Sequence, residues 1–384
     1  MTVNQIYGIV NSVASQALGD SALTTTDLTG LISLGKTVLS SNTNSDNFLN
    51  VLADRIGKTV LRTLDVSTEF PFLLRNDYEF GAILQKIDIQ PMQAQTNTSE
   101  NIGAVDYTPA QFAINKPVVS QTFFTDIDTF SYKVTVPDVM FKRAFTSAEA
   151  MGAFIDGIMK SLEESMTQGL NAVAHMAVCN FIGEKIYNTN AVINLRTDYN
   201  TKFNKTLTKD ECLSDTDFLK YASMIIKNYI GYLATPKTVF NTAGKQRATR
   251  RDNLHCMMLN DYVSSTETYL YSGTFHKDFV ELPYFQPVEH WMAFTESADS
   301  IEPTANDAID IVTSSGHEVA ESGIICVLAD REAIATGIVD RYMATDRNNS
   351  DRYTNYTSGT SVQYINDLSE SGIVFTIGDY GTEG

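Results

Sequence analysis

A chain of 384 residues, 43% of them hydrophobic, is long enough for two or three domains with real cores, and its formal charge of −18 makes the surface strongly acidic. Such a surface repels DNA phosphates and anionic membranes, which argues against nucleic-acid binding by the body of the protein. No window approaches 18 uninterrupted apolar residues, so no transmembrane helix is expected. The apolar stretch near Ile9 is broken by Asn11, Ser12, Ser15 and Gln16, and the first basic residue is Lys36, so no secretory signal is read there either.

Residues 1–50 are poor in charge and rich in Ser, Thr and Asn. Helical patterns at Val3–Leu18 and Leu28–Leu39 predict an arm that orders by packing on something else. A stronger helix is expected at about Ser45–Leu64, with Phe48, Leu49, Leu52, Ile56 and Val60 on one face. The period then shortens. Lys86-Ile87-Asp88-Ile89-Gln90 alternates, and so does Phe130-Ser131-Tyr132-Lys133-Val134-Thr135-Val136. With the polar stretch Pro91–Lys116 between them, residues 80–137 read as one long hairpin with a flexible tip. A two-stranded ribbon is barely stable alone, so one face should lie on another subunit.

The strongest pattern follows Pro137. Met151, Ile155, Ile158, Leu162, Met166, Leu170, Val173, Ala177 and Phe181 recur at steps of three and four, opposite Asp156, Lys160, Glu163, Glu164, Gln168, Asn171 and His175. A helix over roughly Ser147–Ile186 is predicted, with Thr146 and Glu149 at capping-box spacing. Some 40 residues at about 1.5 Å each span about 60 Å, so this helix must run along an extended body. A polar loop, Tyr187–Cys212, leads to a helix at Thr216–Ile230, capped by Ser214 or Asp215 and stopped by Gly231. Beyond it, short strands at Thr238–Asn241, Phe279–Leu282, Ile309–Val312 and Ile324–Leu328 suggest an α/β lobe. Arg331–Tyr342 reads as helix. Val362–Ile365 and Ile373–Ile377 read as strands around the turn Ser369-Glu370-Ser371-Gly372.

Chemistry-bearing motifs are sparse. Gly30-Leu31-Ile32-Ser33-Leu34-Gly35-Lys36-Thr37 fits the phosphate-cradling G-x-x-x-x-G-K-T pattern, and Ile325–Asp330 could supply the strand with a metal-binding Asp. The polar run Leu23-Thr24-Thr25-Thr26 precedes it where a buried strand is needed, and Leu31, Ile32 and Leu34 read as a helix face. A nucleotide-binding enzyme using Lys36, Thr37 and Asp330 is therefore an alternative only. His317-Glu318 begins a zinc motif, but Glu321 stands where its second His belongs. Cys179, Cys212, Cys256 and Cys326 form no C-x-x-C pair and read as buried thiols in a reducing compartment. No cofactor or metal is implied, and no enzymatic role is expected. Lys245-Gln246-Arg247-Ala248-Thr249-Arg250-Arg251 is the one basic cluster. Three readings are open: a solvated loop, a weak nucleic-acid site, or an intersubunit contact in which Lys245, Arg247, Arg250 and Arg251 meet a neighbour's acids, with Tyr132 and Lys133 on the hairpin as further contact candidates.

The order of parts resembles the major capsid proteins of tailed bacteriophages, the Hong-Kong-97-type fold, with the nearest likeness to small podoviruses of Gram-positive hosts. The residues carrying the likeness are Ala144-Phe145-Thr146-Ser147-Ala148-Glu149, Ala329-Asp330-Arg331-Glu332-Ala333, and Tyr353-Thr354-Asn355-Tyr356 leading to Asp367-Leu368-Ser369-Glu370-Ser371-Gly372-Ile373-Val374-Phe375. The resemblance implies an α+β fold in five stretches. These are an N-terminal arm at 1–79, an extended hairpin loop at 80–137 over a neighbouring subunit, and a peripheral domain at 138–214 with spine helix 147–186. An axial domain at 215–335 and a return to the peripheral domain at 336–384 complete it. It implies a virion protein made in the bacterial cytoplasm that assembles with itself into pentamers and hexamers of an icosahedral shell. Portal and scaffold proteins would be partners, and packaged DNA would be met only by non-specific proximity to an acidic wall. Some relatives join subunits by a Lys–Asn isopeptide bond. Lys86, Lys116 and Lys133 lie in the loop, but no motif assigns them that role. An encapsulin-like shell is a second alternative, though encapsulins usually lack so long and polar an N-terminal arm.

Overall fold

The computed structural model describes residues 3–19, 25–41, 43–45, 47–48, 50–52, 70–75, 84–90, 116–125, 127–188, 191–271, 285–292, 306–348 and 350–378. Its elements in chain order begin with helices α1 (Val3–Leu18) and α2 (Leu28–Val38), then strands β1 (Leu74–Arg75), β2 (Leu84–Ile89), β3 (Val119–Phe124) and β4 (Ile127–Pro137). Helices α3 (Asp138–Ala144) and α4 (Ala148–Asn188) follow, then β5 (Val192–Asn194), α5 (Leu195–Phe203), α6 (Lys209–Cys212) and α7 (Thr216–Leu233). The remainder is β6 (Leu254–Leu259), α8 (Asn260–Thr266), β7 (Gln286–Val288), β8 (Ile309–Val312), β9 (Glu318–Glu321), β10 (Ile324–Asp330), β11 (Ile334–Asn348), β12 (Tyr353–Asn366) and β13 (Gly372–Thr376). The chain forms two compact units. The first comprises 1–82, 126–174 and 336–364; the second comprises 83–125, 175–335 and 365–384.

In the first unit the apolar stripe of α4 does what its spacing demands. Met151, Ile155, Ile158, Leu162 and Met166 are buried with Ile6, Val10 and Val13 of α1 and Leu31, Leu34 and Val38 of α2. The N-terminal arm is therefore ordered by the chain's own spine helix. The Asn11 amide ties α1 to the approach to α2, donating to the Thr25 carbonyl at 2.8 Å and accepting from the Thr25 N–H at 2.7 Å. The cap of α4 is Ser147, whose Oγ accepts from the Ala150 N–H at 3.0 Å. Thr146, expected in that role, turns its hydroxyl back to the Arg143 carbonyl at 2.6 Å. The expected helix over 45–64 lies mostly outside the described residues, but its Phe48 and Leu52 are buried in this same core.

The unit's sheet has the order β1-β11-β12-β4. Two expectations are corrected here. Ile127–Pro137 is not the return strand of the hairpin; it pairs antiparallel with β12 over Tyr353–Gln363. Arg331–Tyr342 is not helical, because Ile334–Asn348 is a strand beside β1 and β12. Its β-branched residues Ile334, Thr336, Ile338 and Val339 suit a pleated surface, and sheet pairing overrides their helix-like spacing.

In the second unit a five-stranded sheet has the order β5-β13-β10-β6-β7. β10 is central, antiparallel to both β13 and β6, and buried from Ile324 to Ala329, as an unbroken apolar run should be. Phe218, Ala222, Ile226 and Ile230 of α7 pack with Cys256, Met258, Ile325, Leu328, Ile373 and Phe375. Asp215 caps α7 through the Phe218 N–H at 2.7 Å, but the helix runs through Gly231 to Leu233. Thr238–Asn241 forms turns rather than a strand, while Phe279–Leu282 lies outside the described residues. The β8–β9 hairpin stands where Ile309–Val312 predicts a strand.

Candidate functional site

The hairpin of the second unit is the feature that most needs explaining. β2 and β3 pair antiparallel, from Leu84 opposite Phe124 to Ile89 opposite Val119. Alternation puts Gln85, Ile87 and Ile89 on one face and Lys86 and Asp88 on the other. The faces are inverted. Ile87 and Ile89 are 57% and 62% exposed, and Val118, Val119 and Phe123 are exposed too. Lys86 and Asp88 are turned inward, with side chains only 19% and 12% exposed.

Inward charges persist only when paired. Lys86 Nζ lies 2.7 Å from Asp367 Oδ2, 2.6 Å from Glu370 Oε1 and 3.4 Å from Glu332 Oε2. Asp88 takes Lys245 Nζ at 2.9 Å on one oxygen and Arg247 Nη1 at 2.8 Å on the other. Arg247 also reaches Glu370 at 3.1 Å, and Lys245 donates to Ser120 Oγ of β3 at 2.7 Å. Both strands are thus clamped to two segments of the same chain, the 367–370 turn and the 240–247 loop.

Beneath the clamp lies Lys185, on the last turns of α4. Its ammonium is fully buried and donates to the carbonyls of Phe240 at 3.0 Å, Glu370 at 3.0 Å and Leu368 at 3.4 Å. Burial drives its pKa down to about 8, and the nearby charges of Asp367 and Glu370 offset only part of the fall. In the clamp itself, burial also disfavours charge at Lys86, Asp88 and Asp367. Their partners outweigh it, so Lys86 is raised and both Asp carboxyls are lowered. Glu370 is the exception: burial raises it despite Lys86 and Arg247. Of the two buried carboxylates on Lys86, Asp367 and Glu370, Glu370 is the one that takes up a proton first.

The residues singled out in the sequence fall into distinct places. Lys245 and Arg247 are satisfied within their own chain by Asp88, while Arg250 and Arg251 are exposed. Tyr132 is half-buried against α4, so close that a Cβ on Gly169 would collide with its hydroxyl, and Lys133 is exposed on the opposite face of β4. Gly30–Thr37 is no cradle, because it lies inside α2. The Thr37 hydroxyl donates to the Ser33 carbonyl one turn back at 3.1 Å, and Leu31, Leu34 and Gly35 are buried. Asp330 accepts from Thr249 Oγ1 at 2.5 Å and from the Glu332 N–H at 2.9 Å. The four cysteines are buried free thiols, and burial pushes Cys179 and Cys212 up to about 12. His317 stacks on Tyr187. Among the described residues no group of three or more His, Cys, Asp and Glu could hold a metal ion, and no helix is long and apolar enough to cross a membrane. Lys86 was noted in the sequence only as a loop lysine. Asp88, Asp367, Glu370 and Lys185 were not singled out as site residues, since their partners lie far away in the chain.

A capped spine helix reached from a strand through one short helix, an outward-facing apolar hairpin and an α/β lobe closed by C-terminal strands are the parts of a Hong-Kong-97-type phage capsid subunit. Solved structures share that fold. A chain in the capsid structure of Staphylococcus phage Andhra superposes with a TM-score of 0.52 at 8% identity, covering 80% of this chain and 83% of its own. A chain in the structure of the head fiber and inner core protein gp22 of native bacteriophage P68 gives 0.52 at 10% identity, covering 81% and 84%. The pattern defining the Phi29-like phage major capsid proteins matches residues 10–376, and the chain belongs to that family. It is a structural protein of the phage head, and so a virion component. The major capsid protein of Streptococcus phage Cp-1 is 27% identical over 132 residues, a stretch spanning 32% of this chain and 32% of that relative's length. These matches support neither the nucleotide-binding nor the encapsulin-like alternative.

Proposed function

We propose that this chain is the subunit that assembles with itself, as pentamers and hexamers, into the icosahedral shell enclosing phage DNA, and that the apolar face of β2–β3 lies on a neighbouring copy. The inverted hairpin carries this reading. An isolated two-stranded ribbon does not hold Ile87, Ile89, Val119 and Phe123 against water without a partner surface, and charges fix the opposite face to the ribbon's own lobe. A second copy is the occupant that a shell supplies at every position. The exposed pair Arg250 and Arg251 suits a second contact, to acids of another neighbour. Portal and scaffold proteins are the further partners of such a shell. The chain's −18 charge fits a wall that meets packed DNA without gripping it. No reaction is required of it.

The test is Ile87→Ser with Ile89→Ser, examined by negative-stain electron microscopy and light scattering beside the parent. The parent should give closed shells or rings. The variant should remain unassembled with an unchanged circular dichroism spectrum, and normal particles from it would refute the hairpin's role. Arg250→Glu with Arg251→Glu tests the second contact in the same way.

A further inference from the structure

We propose that Lys86, Asp88 and Lys185 are positioning residues, together forming an electrostatic key that sets the pose of the β2–β3 hairpin on its own lobe.

No residue of β2 or β3 belongs to the apolar core built around α7, so among the described residues burial in that core does not fix the hairpin. What fixes it is a pattern of signs. Lys86 and Asp88 are two residues apart and share a face. Beneath Lys86 are the acids Asp367 and Glu370; beneath Asp88 are the bases Lys245 and Arg247. A slip of two residues along β2 would bring Lys86 over bases or Asp88 over acids. A slip of one would turn Ile87 toward the charges and expose Lys86. Like-charge contact rejects the first error and desolvation the second, so one register is selected by exclusion as much as by attraction.

Lys185 makes the two docking patches one object. The Phe240 carbonyl it holds opens the loop that carries Lys245 and Arg247, and the Leu368 and Glu370 carbonyls belong to the acidic turn. The loop and the turn also bond directly, through the Thr242 N–H to the Leu368 carbonyl at 3.1 Å and the Gly372 N–H to the Phe240 carbonyl at 2.9 Å. The Asn241 amide braces the loop across Lys245, at 2.7 and 2.9 Å. The end of the spine helix thereby sets the spacing of the acidic and basic patches, and that spacing sets where the hairpin points. The key is a property of a single chain. Only its use in presenting the apolar face rests on the assembly reading.

The four native thiols are buried, so two introduced cysteines can be labelled selectively. Spin labels at Gln121→Cys on β3 and Lys227→Cys on α7, both exposed, report the intrachain distance by dipolar spectroscopy. Labelled full-length chains are diluted into unlabelled ones. The parent and Lys86→Arg, which keeps the pairing, should give one narrow distribution. Asp88→Lys, the milder Asp88→Asn and Lys185→Met should shift population to a second distance, while the emission of Trp291, the sole tryptophan, stays unchanged. An unchanged distribution in Asp88→Asn and Lys185→Met overturns the key. So does a shift accompanied by altered Trp291 emission, which would make the network part of the lobe's fold. A failure to assemble with the distance intact would instead count against the assembly reading alone.

Discussion

Lys185→Met should cost more stability at alkaline pH, where the lysine is uncharged, than at neutral pH. Lys185 is depressed from 10.5 to about 8 by burial. Between these values the unfolded chain binds more protons than the folded one, so this group's contribution to stability rises with pH across that window. The difference of about 2.5 units, at 1.36 kcal/mol each, makes the swing about 3 kcal/mol. Methionine keeps the length of the side chain and removes its donors. The Phe240 carbonyl keeps its bond from the Gly372 N–H, but the Glu370 carbonyl at 3.0 Å loses its donor, and a stranded buried acceptor costs about 1–3 kcal/mol. At pH 10 the variant should therefore lose about 1–3 kcal/mol. At pH 7 the substitution also relieves a buried ammonium, so the cost falls by about 3 kcal/mol and the variant should be as stable as the parent or more so. Urea unfolding followed through Trp291 emission measures both, and subtracting variant from parent cancels every other titrating group. A cost that is equal at the two pH values, or larger at pH 7, refutes the reasoning.

Ser147→Ala should lower stability by about 1 kcal/mol and fray the start of α4, whereas Thr146→Ala, which removes only a bond to the Arg143 carbonyl, should cost less; thermal melts of the two variants compare them. Lys36→Ala, at an exposed helix position, should change stability by no more than about 0.5 kcal/mol and leave particle assembly intact. Titration calorimetry with ATP and magnesium on the parent should show no binding heat, because the backbone N–H groups of Gly30–Thr37 lie in a helix.

The helices of the first unit were legible because their stripes obey one period. Val3–Leu18 is the span expected, and α4 runs two residues beyond its expected end. The hairpin was half legible. Lys86–Gln90 announces a strand, but its return partner Val-Ser-Gln-Thr-Phe-Phe does not alternate in hydropathy, while Phe130–Val136 does and drew the assignment. The exposed face of a strand can look buried when its apolar side awaits another molecule. β11 was misread because Ile334, Ala335 and Ile338 fit helical spacing locally, and only pairing with β1 and β12 reveals the strand. The clamp was illegible for a different reason. Arg247 stands 159 residues from Asp88 and Lys86 stands 281 from Asp367, distances over which no local pattern speaks. The basic cluster was visible as charge; its division into a clamped half and a free half was not.

The order of strands in the second unit has a consequence for how the protein is made. β13, which follows both in the chain, is inserted between β5 and β10, pairing parallel with one and antiparallel with the other. Until residues 372–376 leave the ribosome, β5 lacks that partner, β10 has an open edge, and the turn that receives Lys86 does not exist. Such distant pairings close late. A nascent or truncated chain can form its N-terminal helices, but it cannot complete the lobe or aim the hairpin. Synthesis thus acts as a checkpoint, in which only a chain translated through residue 376 can complete the five-stranded sheet.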